Sequence, residues 1–419
     1  MRRKFPSHPL FILAGFLFFG QSVNAQKSAS VLPNGIWRVR WVGVRTASLT
    51  QSLNDDGTAS NTMSALEKSL TAKDLAALNS DLAQLYNGLN AYEEGLGDSL
   101  ILADFYPDSS MVATKNTIAA EYGLSSKVSL GIIIPITTMR VDASFSADVQ
   151  NNVAAIQAKV QGNSALENGL NTFSSSMPTS ESFSQSVFTD NGYVVPGSFG
   201  WTGMGDIELG AKIQALKFSK FRATTLLGFR APTTTHKANI RNLLDSNSGD
   251  NQWDLAFELA TEYLPTKDFI FGVGTRYTIQ LPNNQDKALL RDGQTGLPNL
   301  TVPGTIQNVR RNLGDQLETE IGASYQYNRF IVSTAYENLF KTSDSYSVPT
   351  GYRKDNLESE TDALQHRYAL GLKYTTLAAF VAKKASIPFE AKLTYSDIFA
   401  GRNVTKAAYA RLDLIFFLK

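Results

Sequence analysis

The sequence predicts an all-β fold, a transmembrane antiparallel β-barrel of about 12 strands (12–14) with helical insertions in its long extracellular loops. Three observations predict it. Apolar and polar residues alternate in blocks of about ten residues, the length of a tilted membrane-spanning strand. Aromatic residues lie near the ends of these blocks, and short and long connections alternate between them.

The first 25 residues are typical of a secretory signal peptide. Arg2, Arg3 and Lys4 form a positive start, Leu10–Phe19 is a short apolar run, and Ala25 ends a plausible cleavage site. The apolar run is too short for a stable transmembrane helix. We therefore expect residues 1–25 to be removed and residues 26–419 to form the barrel.

Composition excludes several classes of protein. The chain has no Cys, which rules out disulfides, a lipid-anchored cysteine and thiolate metal sites. Its formal net charge of +1 argues against bulk nucleic-acid binding. No metal-ligand spacing or Gly-rich phosphate loop is present, so we expect no cofactor, no metal and no nucleic-acid partner.

Six predicted strands occupy the first part of the mature chain. They span residues 36–45, 112–123, 127–138, 206–216, 220–231 and 252–263. In each strand, side chains suited to contact with lipid alternate with side chains suited to the interior of the barrel. Adjacent residues therefore point to opposite faces of the same strand. One such pair from each strand, in chain order, is Trp37 and Arg38, Ile118 and Thr117, Ile132 and Gly131, Leu209 and Glu208, Phe229 and Arg230, and Phe257 and Glu258.

Six more strands are predicted to follow. They span residues 268–280, 315–327, 329–340, 365–376, 387–397 and 405–418. Tyr277 opposes Arg276 in the first of them, and Ile321 opposes Glu320 in the second. The last strand sets Leu412 against Asp413. These blocks repeat the period-2 pattern of the first six.

Connection lengths favour a membrane barrel over a soluble sandwich, whose strands also alternate. Short turns are predicted after the second, fourth, sixth and eighth strands, and long segments after the odd-numbered strands from the first to the ninth. Outer-membrane barrels have short periplasmic turns and long outer loops. A sandwich has no reason to sort its loops by side.

Two long loops carry helical patterns, at about residues 64–96 and 147–173. In the first, leucines recur at alternating spacings of three and four, an amphipathic stripe. Ser64 with Glu67, or Thr71 with Asp74, could cap this helix. We expect the two segments to pack on each other and to cap the outer mouth or fold into the lumen. A loose surface loop is the alternative.

Charged residues on the strands should face the lumen, because charge is costly at the lipid face. The signs nearly balance, which favours pairing across a narrow lumen over strong ion selectivity. A barrel of this size could hold a narrow pore or a ligand cavity. The lumen-facing candidates are Arg38, Arg40, Lys115, Glu121, Glu208, Lys212, Arg222, Arg230, Glu258, Glu262, Arg276, Glu318, Glu320, Arg367, Lys373, Glu390, Lys392, Arg411 and Asp413.

Pro135 lies inside the third predicted strand. Proline cannot donate to a β ladder, so we expect a bulge or kink at this position. The residue could mark the outer end of the strand, or the kink could open a lateral gap for hydrophobic solutes.

Signals for an enzyme are poor. His8 lies in the signal segment, His236 in a loop and His366 at a strand end. A membrane hydrolase would need a Ser–His pair with an orienting polar group. We find no catalytic residues and expect no enzyme activity.

Four segments resemble a known family. They are residues 121–136, which end in Pro135-Ile136; Gly203-Met-Gly-Asp206; Gly228-Phe-Arg-Ala-Pro-Thr233; and Gln252-Trp-Asp254. They are similar to segments of the outer-membrane proteins linked to the meta-pathway of phenol degradation, distant relatives of the long-chain fatty-acid and aromatic hydrocarbon channels. The resemblance covers residues 110 to 419 in pieces and implies uptake of hydrophobic or aromatic compounds. It implies no catalytic residues.

We therefore expect a porin-like channel for passive uptake of small hydrophobic or aromatic molecules across a Gram-negative outer membrane. Its partners would be outer-membrane lipid, small hydrophobic solutes and the barrel-assembly machinery during insertion. A non-transporting structural or adhesive surface barrel is the alternative, and an outer-membrane hydrolase is a weaker one.

Overall fold

The computed structural model describes residues 28–292 and 306–419, except residues 65, 66, 68, 77–79, 150, 151, 177, 178, 180, 181, 183, 184, 186, 187, 190 and 191. The expected signal peptide lies outside the described residues. None of the helices in the described part of the chain is long and apolar enough to cross a membrane.

Twelve long antiparallel strands form the body of the molecule, which confirms the predicted barrel. They are β1 (Trp37–Thr46), β2 (Ile101–Gly123), β3 (Val128–Val149), β4 (Ile207–Lys217), β5 (Phe221–Ala231), β6 (Asp254–Tyr263), β7 (Phe269–Gln280), β8 (Gln316–Tyr327), β9 (Phe330–Lys341), β10 (Ala363–Thr375), β11 (Phe389–Arg402) and β12 (Ala408–Leu418).

The sheet closes on itself. Each strand pairs with the strands before and after it in the chain, and β1 pairs with both β2 and β12. The closing register sets Trp37 opposite Leu418 and Thr46 opposite Tyr409. Closure pairs each of the twelve barrel strands on both sides, the condition for a β structure inside a membrane.

The outer face of the barrel is apolar. Large side chains that face outward are strongly exposed, among them Leu209, Leu227 and Phe257. Rings pair across neighbouring strands near the strand ends, as with Trp37 and Tyr122 at 4.8 Å between centroids and Phe330 and Tyr374 at 5.4 Å. Exposed apolar area on this scale needs lipid to cover it.

Strands β2 and β3 are about ten residues longer than predicted. Their register continues without a break from the Gly123–Ser129 pair to the Ala103–Val149 pair. The sequence prediction stopped each strand at the thickness of a bilayer, but the alternation in 101–111 continues beyond it. The β2–β3 hairpin therefore projects past the rest of the barrel. Strand β12, in contrast, is shorter than predicted. It begins at Ala408 and not at residue 405, because Val404 and Thr405 pair with the short strand Gln51–Leu53.

Connections are mostly sorted by side. We call the end with the tight turns after β2, β4, β6 and β8 the turn end, and the opposite end the loop end. Two connections depart from the sorting. The segment 376–388 at the turn end contains the helix Leu377–Val381, and the loop-end segment 403–407 is short.

The helical insertions are shorter than predicted and lie at the tip of the β2–β3 hairpin. They are α1 (Ala72–Ala76), α2 (Ser80–Tyr92), α3 (Val153–Lys159) and α4 (Ser164–Ser176). Residues 147–149, predicted to be helical, continue β3, because they pair with residues 103–105 of β2. Leu78, on the predicted stripe, lies outside the described residues.

The two helical segments share one apolar core. It contains Leu85 and Leu89 of α2, Ile156 of α3 and Leu170 of α4. The Asn152 side chain ties this layer to the hairpin, since it accepts a hydrogen bond from Ile101 N at 2.9 Å. This core is separate from the apolar cluster that the other loops form, and a position of the layer over the outer mouth stays a prediction.

Other loops fill the mouth. An apolar cluster packs Leu49, Met63 and Leu244 of the loops against Met111 of β2 and Met139 of β3. Two small sheets that the sequence analysis missed lie in the same loops. One joins Asn283–Ala288, Ile306–Asn312 and Ser345–Ser347, and the other joins Gln51–Leu53, Ala59–Asn61 and Val404–Thr405. The loop end of the lumen is therefore covered.

Candidate functional site: the lumen cavity

The nineteen lumen-facing candidates all lie on the inner side of the barrel, as their cross-strand registers show. Ten of them surround one cavity of about 240 Å³. These ten are Arg38, Arg40, Lys115, Glu121, Glu208, Lys212, Arg230, Glu258, Arg276 and Glu318. The other nine lie elsewhere along the wall.

The cavity has an apolar wall, of which the sequence analysis singled out only Pro135. Ala119 of β2, Ile133 and Pro135 of β3, and Leu226 of β5 line it. Ile133 stands opposite Ala119 and Glu208 in the registers of its two neighbours, so it shares their inner face. Its side chain is 38% exposed although it points inward, so this exposed area faces the cavity.

One ion-pair network joins strands β4, β5, β6 and β7 at the cavity. Glu208 Oε2 accepts a hydrogen bond from Arg276 at 2.7 Å and lies 3.6 Å from Arg230. Arg230 also donates to Asp254 at 2.9 Å, and Arg276 lies 4.0 Å from Glu258. Each charge here has an opposite charge close by, which offsets the desolvation of burial.

A second network lies on β1 and β12. Arg40 Nε donates to Asp413 at 2.7 Å, and Arg411 donates to the same oxygen at 2.6 Å. Asp413 is completely buried. Next to it, Arg38 pairs with Glu121 of β2.

The remaining candidates pair along the wall. Lys373 lies 3.1 Å from Glu390, Arg222 lies 3.9 Å from Glu262, and Arg367 pairs with Glu337. Glu320 stands directly opposite Glu337 in the register of β8 and β9. Lys392 stands opposite both Lys373 and Asp413.

The segment before β1 closes the cavity from the turn end, which the sequence analysis missed. Ala29 and Leu32 are buried. Ala29 N donates to Glu262 at 3.0 Å, and Leu32 N donates to Ser129 Oγ at 2.9 Å. Lys212 Nζ in turn donates to the carbonyl of Ser28. Residues 28–32 therefore lie inside the lumen, held by polar side chains of the wall.

Asp206 anchors the loop 232–251 at the loop end of the cavity. Its Oδ1 accepts hydrogen bonds from Thr233 N at 2.9 Å, Thr234 N at 3.1 Å and Thr234 Oγ1 at 2.9 Å. Its Oδ2 accepts one from Asn251 N at 2.9 Å. Gly249 passes so close that a Cβ there would lie 2.4 Å from Asp206 Oδ2. One carboxylate thus fixes both ends of the loop.

The four segments that carried the family resemblance meet at this anchor. Asp206 of the second segment holds Thr233, which ends the third. Gly205 N donates to the carbonyl of Pro135, the end of the first segment, at 2.9 Å. Asp254 of the fourth segment pairs with Arg230 of the third. Because the four segments are far apart in the sequence, the sequence analysis did not show that they form one site.

Asp250 of the same loop lines the cavity beside the anchor. Burial and the nearby carboxylates of Asp254 and Asp206 raise the pKa of Asp250 well above its usual range. Arg230, at 3.6 Å, acts in the opposite direction but does not outweigh them. This environment therefore favours the protonated form of Asp250.

At Pro135, strand β3 changes the strand with which it pairs on one side, and the predicted bulge is not found there. The register of β2 and β3 continues through the Thr117–Pro135 pair. On the other side, β3 pairs with β4 only from Val128 to Ile133 and then with the strand Phe199–Met204. The missing N–H of proline falls where the ladder passes from one partner to the next.

The two histidines in the described part of the chain lie away from the cavity, and His8 is outside that part. His366 is on the outer face, where its Nδ1 lies 2.6 Å from the Tyr336 hydroxyl and 3.2 Å from the Asn338 amide. His236 lies in the loop 232–251, 3.0 Å from Asp245 and stacked on Trp201. Neither arrangement is the Ser–His pair that the hydrolase hypothesis requires.

A closed twelve-stranded barrel with an apolar outer band and a polar interior defines an outer-membrane β-barrel. The chain belongs to the family described as the MetA-pathway of phenol degradation, whose model matches residues 110–346, more than half of the chain. Comparison of the sequence with curated proteins found no match.

One solved structure shares the fold, and two others are similar at lower TM-scores. An outer membrane channel from Pseudomonas putida F1 is 10% identical, with a TM-score of 0.52 over 93% of this chain and 98% of that one. The toluene transporter of Ralstonia pickettii is 9% identical, with a TM-score of 0.35 over 93% and 90%. The toluene transporter of Pseudomonas putida is 10% identical, with a TM-score of 0.33 over 92% and 89%.

Proposed function

We propose that the chain is a passive channel for small hydrophobic or aromatic molecules in the outer membrane. The observation that carries the proposal is an enclosed lumen cavity with an apolar wall, inside a barrel whose charges are largely paired. A general porin would present an open aqueous lumen. Membership in a family named for phenol degradation supports an aromatic solute.

The size of the cavity suits a molecule with one ring. A volume of about 150 Å³ is enough to bind benzene in an apolar protein interior, and the lumen cavity measures about 240 Å³. Ile133 and Leu226 offer the apolar surface that such a ring needs.

Passage requires both covers to move. The segment 28–32 closes the turn end through a few hydrogen bonds, and the loop 232–251 closes the loop end through Asp206. Neither is part of the barrel ladder, so each can shift without breaking a strand pair.

A lateral route to the lipid stays a prediction, now with a defined place. An apolar groove of about 590 Å³ on the outer face shares Gly131 and Gly210 with the lumen cavity. The two glycines are directly paired, and only backbone separates the groove from the lumen there. Pro135 and the change of partner follow two residue pairs further on.

Two partners follow from the proposal. An outer-membrane barrel must be exported, which is the role expected for residues 1–25, and must be inserted by the barrel-assembly machinery. Loss of outer-membrane localisation on deletion of residues 2–19 would support the first. Crosslinking of a folding intermediate to that machinery would support the second.

Solute uptake tests the function. Vesicles with lipopolysaccharide in the outer leaflet are needed, because phospholipid alone admits toluene. Labelled toluene should enter vesicles that contain the protein faster than empty ones, while labelled sucrose should not. Equal exclusion of both solutes, or equal entry of both, would overturn the proposal.

A structural or adhesive surface barrel is the second candidate. It is favoured by the two covered ends and by the helical layer α1–α4 on the projecting hairpin. Deleting the layer, residues 72–100 and 152–176, separates the two functions. Loss of surface attachment with unchanged solute uptake would favour adhesion.

A further inference from the structure

Lys115 differs from every other cation that lines the cavity. Arg38, Arg40, Arg230 and Arg276 pair with carboxylates, and Lys212 donates to a backbone carbonyl. In the described part of the chain, Lys115 has no hydrogen bond and no carboxylate within 4.0 Å. It is therefore the cavity's one cation without a direct partner among those residues.

The neighbours of Lys115 offer no compensation. Its register partners are Val44 on β1 and Thr137 on β3, and Ala113 and Thr117 flank it on the inner face of β2. All four are neutral. Among charged groups, Glu208 attracts Lys115 and Arg230 repels it. Glu208 already accepts a hydrogen bond from Arg276, so it cannot neutralise a third cation.

An unpaired ammonium in a partly dry cavity is costly unless a ligand supplies the counter-charge. The apolar wall of Ala119, Ile133 and Leu226 lines the same cavity, and Glu208, which attracts Lys115, stands opposite Ile133 in the strand register. The two features together match a molecule with an anionic end and an apolar ring.

We infer that the lumen cavity is a binding site for a small aromatic monocarboxylate, whose carboxylate pairs with Lys115 and whose ring rests on Ile133 and Leu226. The inference rests on the proposed function and narrows its substrate class. A neutral hydrocarbon would leave the ammonium unpaired, and an inorganic anion would leave the apolar wall in water.

Equilibrium binding by calorimetry on the detergent-solubilised protein tests it, with benzoate, benzyl alcohol and acetate as probes. Benzoate should bind about tenfold or more tightly than benzyl alcohol, since one charge-assisted hydrogen bond is worth at least that factor. It should also bind about tenfold or more tightly than acetate, because acetate has no ring to bury against the apolar wall. Benzyl alcohol keeps the ring without the charge, and acetate keeps the charge without the ring.

Lys115→Met should lower benzoate affinity about tenfold or more and leave benzyl alcohol within about twofold. Lys115→Arg should retain most of the benzoate affinity. Lys373→Met is the matched control, because Lys373 is a lumen lysine that pairs with Glu390 outside the cavity. Folding of each variant is checked by the mobility shift on boiling.

The outcomes separate the two proposals. If benzyl alcohol binds the wild type as tightly as benzoate, or if Lys115→Met leaves benzoate binding unchanged, the carboxylate assignment is overturned while an aromatic channel stands. If acetate matches benzoate, the ring site is overturned. If no aromatic probe binds, the assignment falls together with the proposed solute class.

Discussion

Removing the Asp206 carboxylate should release the loop 232–251 from the lumen and raise conductance. The carboxylate accepts four hydrogen bonds from residues 233, 234 and 251, three of them from backbone N–H groups. Other hydrogen bonds also hold the loop, among them Met204 N to Thr235 Oγ1 at 2.8 Å and Arg311 to the Asp250 carbonyl at 2.7 Å, but the Asp206 carboxylate contacts both ends at once. The strand ladders on either side do not involve the Asp206 side chain, so the barrel itself should stay closed.

The expected size of the effect follows from these contacts. In Asp206→Ala, three backbone donors lose their acceptor, and an unsatisfied buried group costs about 1–3 kcal/mol. Water that enters the widened site recovers part of this cost, so we expect the inward position of the loop to lose about 3–6 kcal/mol. That shifts the balance between inward and released loop by about 10² to 10⁴-fold.

Asp206→Asn is an intermediate variant with which the effect of Asp206→Ala can be compared. An amide keeps one acceptor oxygen for the residue 233 and 234 donors but turns an NH₂ toward Asn251 N. Its effect should therefore be smaller than that of alanine. Asp315→Asn is the matched control, since Asp315 accepts hydrogen bonds from Gln280 N and Tyr277 Oη away from the cavity.

Single-channel recording in planar bilayers and hydrogen exchange of residues 232–251 measure the result. Conductance and exchange should rise in the order wild type, Asp206→Asn, Asp206→Ala, with Asp315→Asn unchanged. If Asp206→Ala exchanges slowly in the loop and conducts like the wild type, the reasoning about this anchor is refuted.

Three further perturbations address other parts of the molecule. Folding raises the pKa of Asp250, so this residue stabilises the position of the loop 232–251 against the lumen fully below the unfolded pKa of about 3.9, and this stabilisation is lost as pH rises through the folded pKa. Hydrogen exchange of the loop should therefore increase with pH in the wild type and depend less on pH in Asp250→Asn. Gly123→Ala would place a Cβ against the carbonyl of Pro33, so it should displace the segment before β1 and raise conductance, whereas Gly197→Ala, whose Cβ would lie 3.9 Å from the nearest atom, should do neither. Leu89→Ala, at a completely buried position in the helical layer, should cost the layer about 2–5 kcal/mol and expose α2 to proteolysis while the boiling-sensitive gel mobility of the barrel is kept.

The strand pattern could be predicted because one physical rule governs it. Each barrel strand meets lipid on one side and the lumen on the other, so residues such as Ile321 and Glu320 alternate wherever the strand lies. The same rule could not give the strand ends at the loop end. There β2 and β3 continue beyond the membrane in a hairpin that packs on protein, and the alternation carries no mark of the boundary.

The covers of the lumen could not be predicted, because their contacts join distant parts of the chain. Ala29 binds Glu262, and Asp206 binds Thr233, with nothing in the local pattern to indicate either partner. The segment 28–32 has no periodicity at all. The charged residues of the cavity could be placed on the inner face, but which of them lack a partner depends on three-dimensional distances. That is why Lys115 looked like any other lumen lysine.

A disulfide lock tests the central claim most directly, namely that solutes pass through the lumen and past the segment before β1. Leu32→Cys with Ser129→Cys joins two residues whose backbone N and side-chain Oγ lie 2.9 Å apart, in a chain with no other cysteine. Toluene uptake by lipopolysaccharide-containing vesicles should fall to the protein-free rate in the oxidised variant and recover on reduction. Equal uptake by the oxidised and reduced forms would contradict the claim.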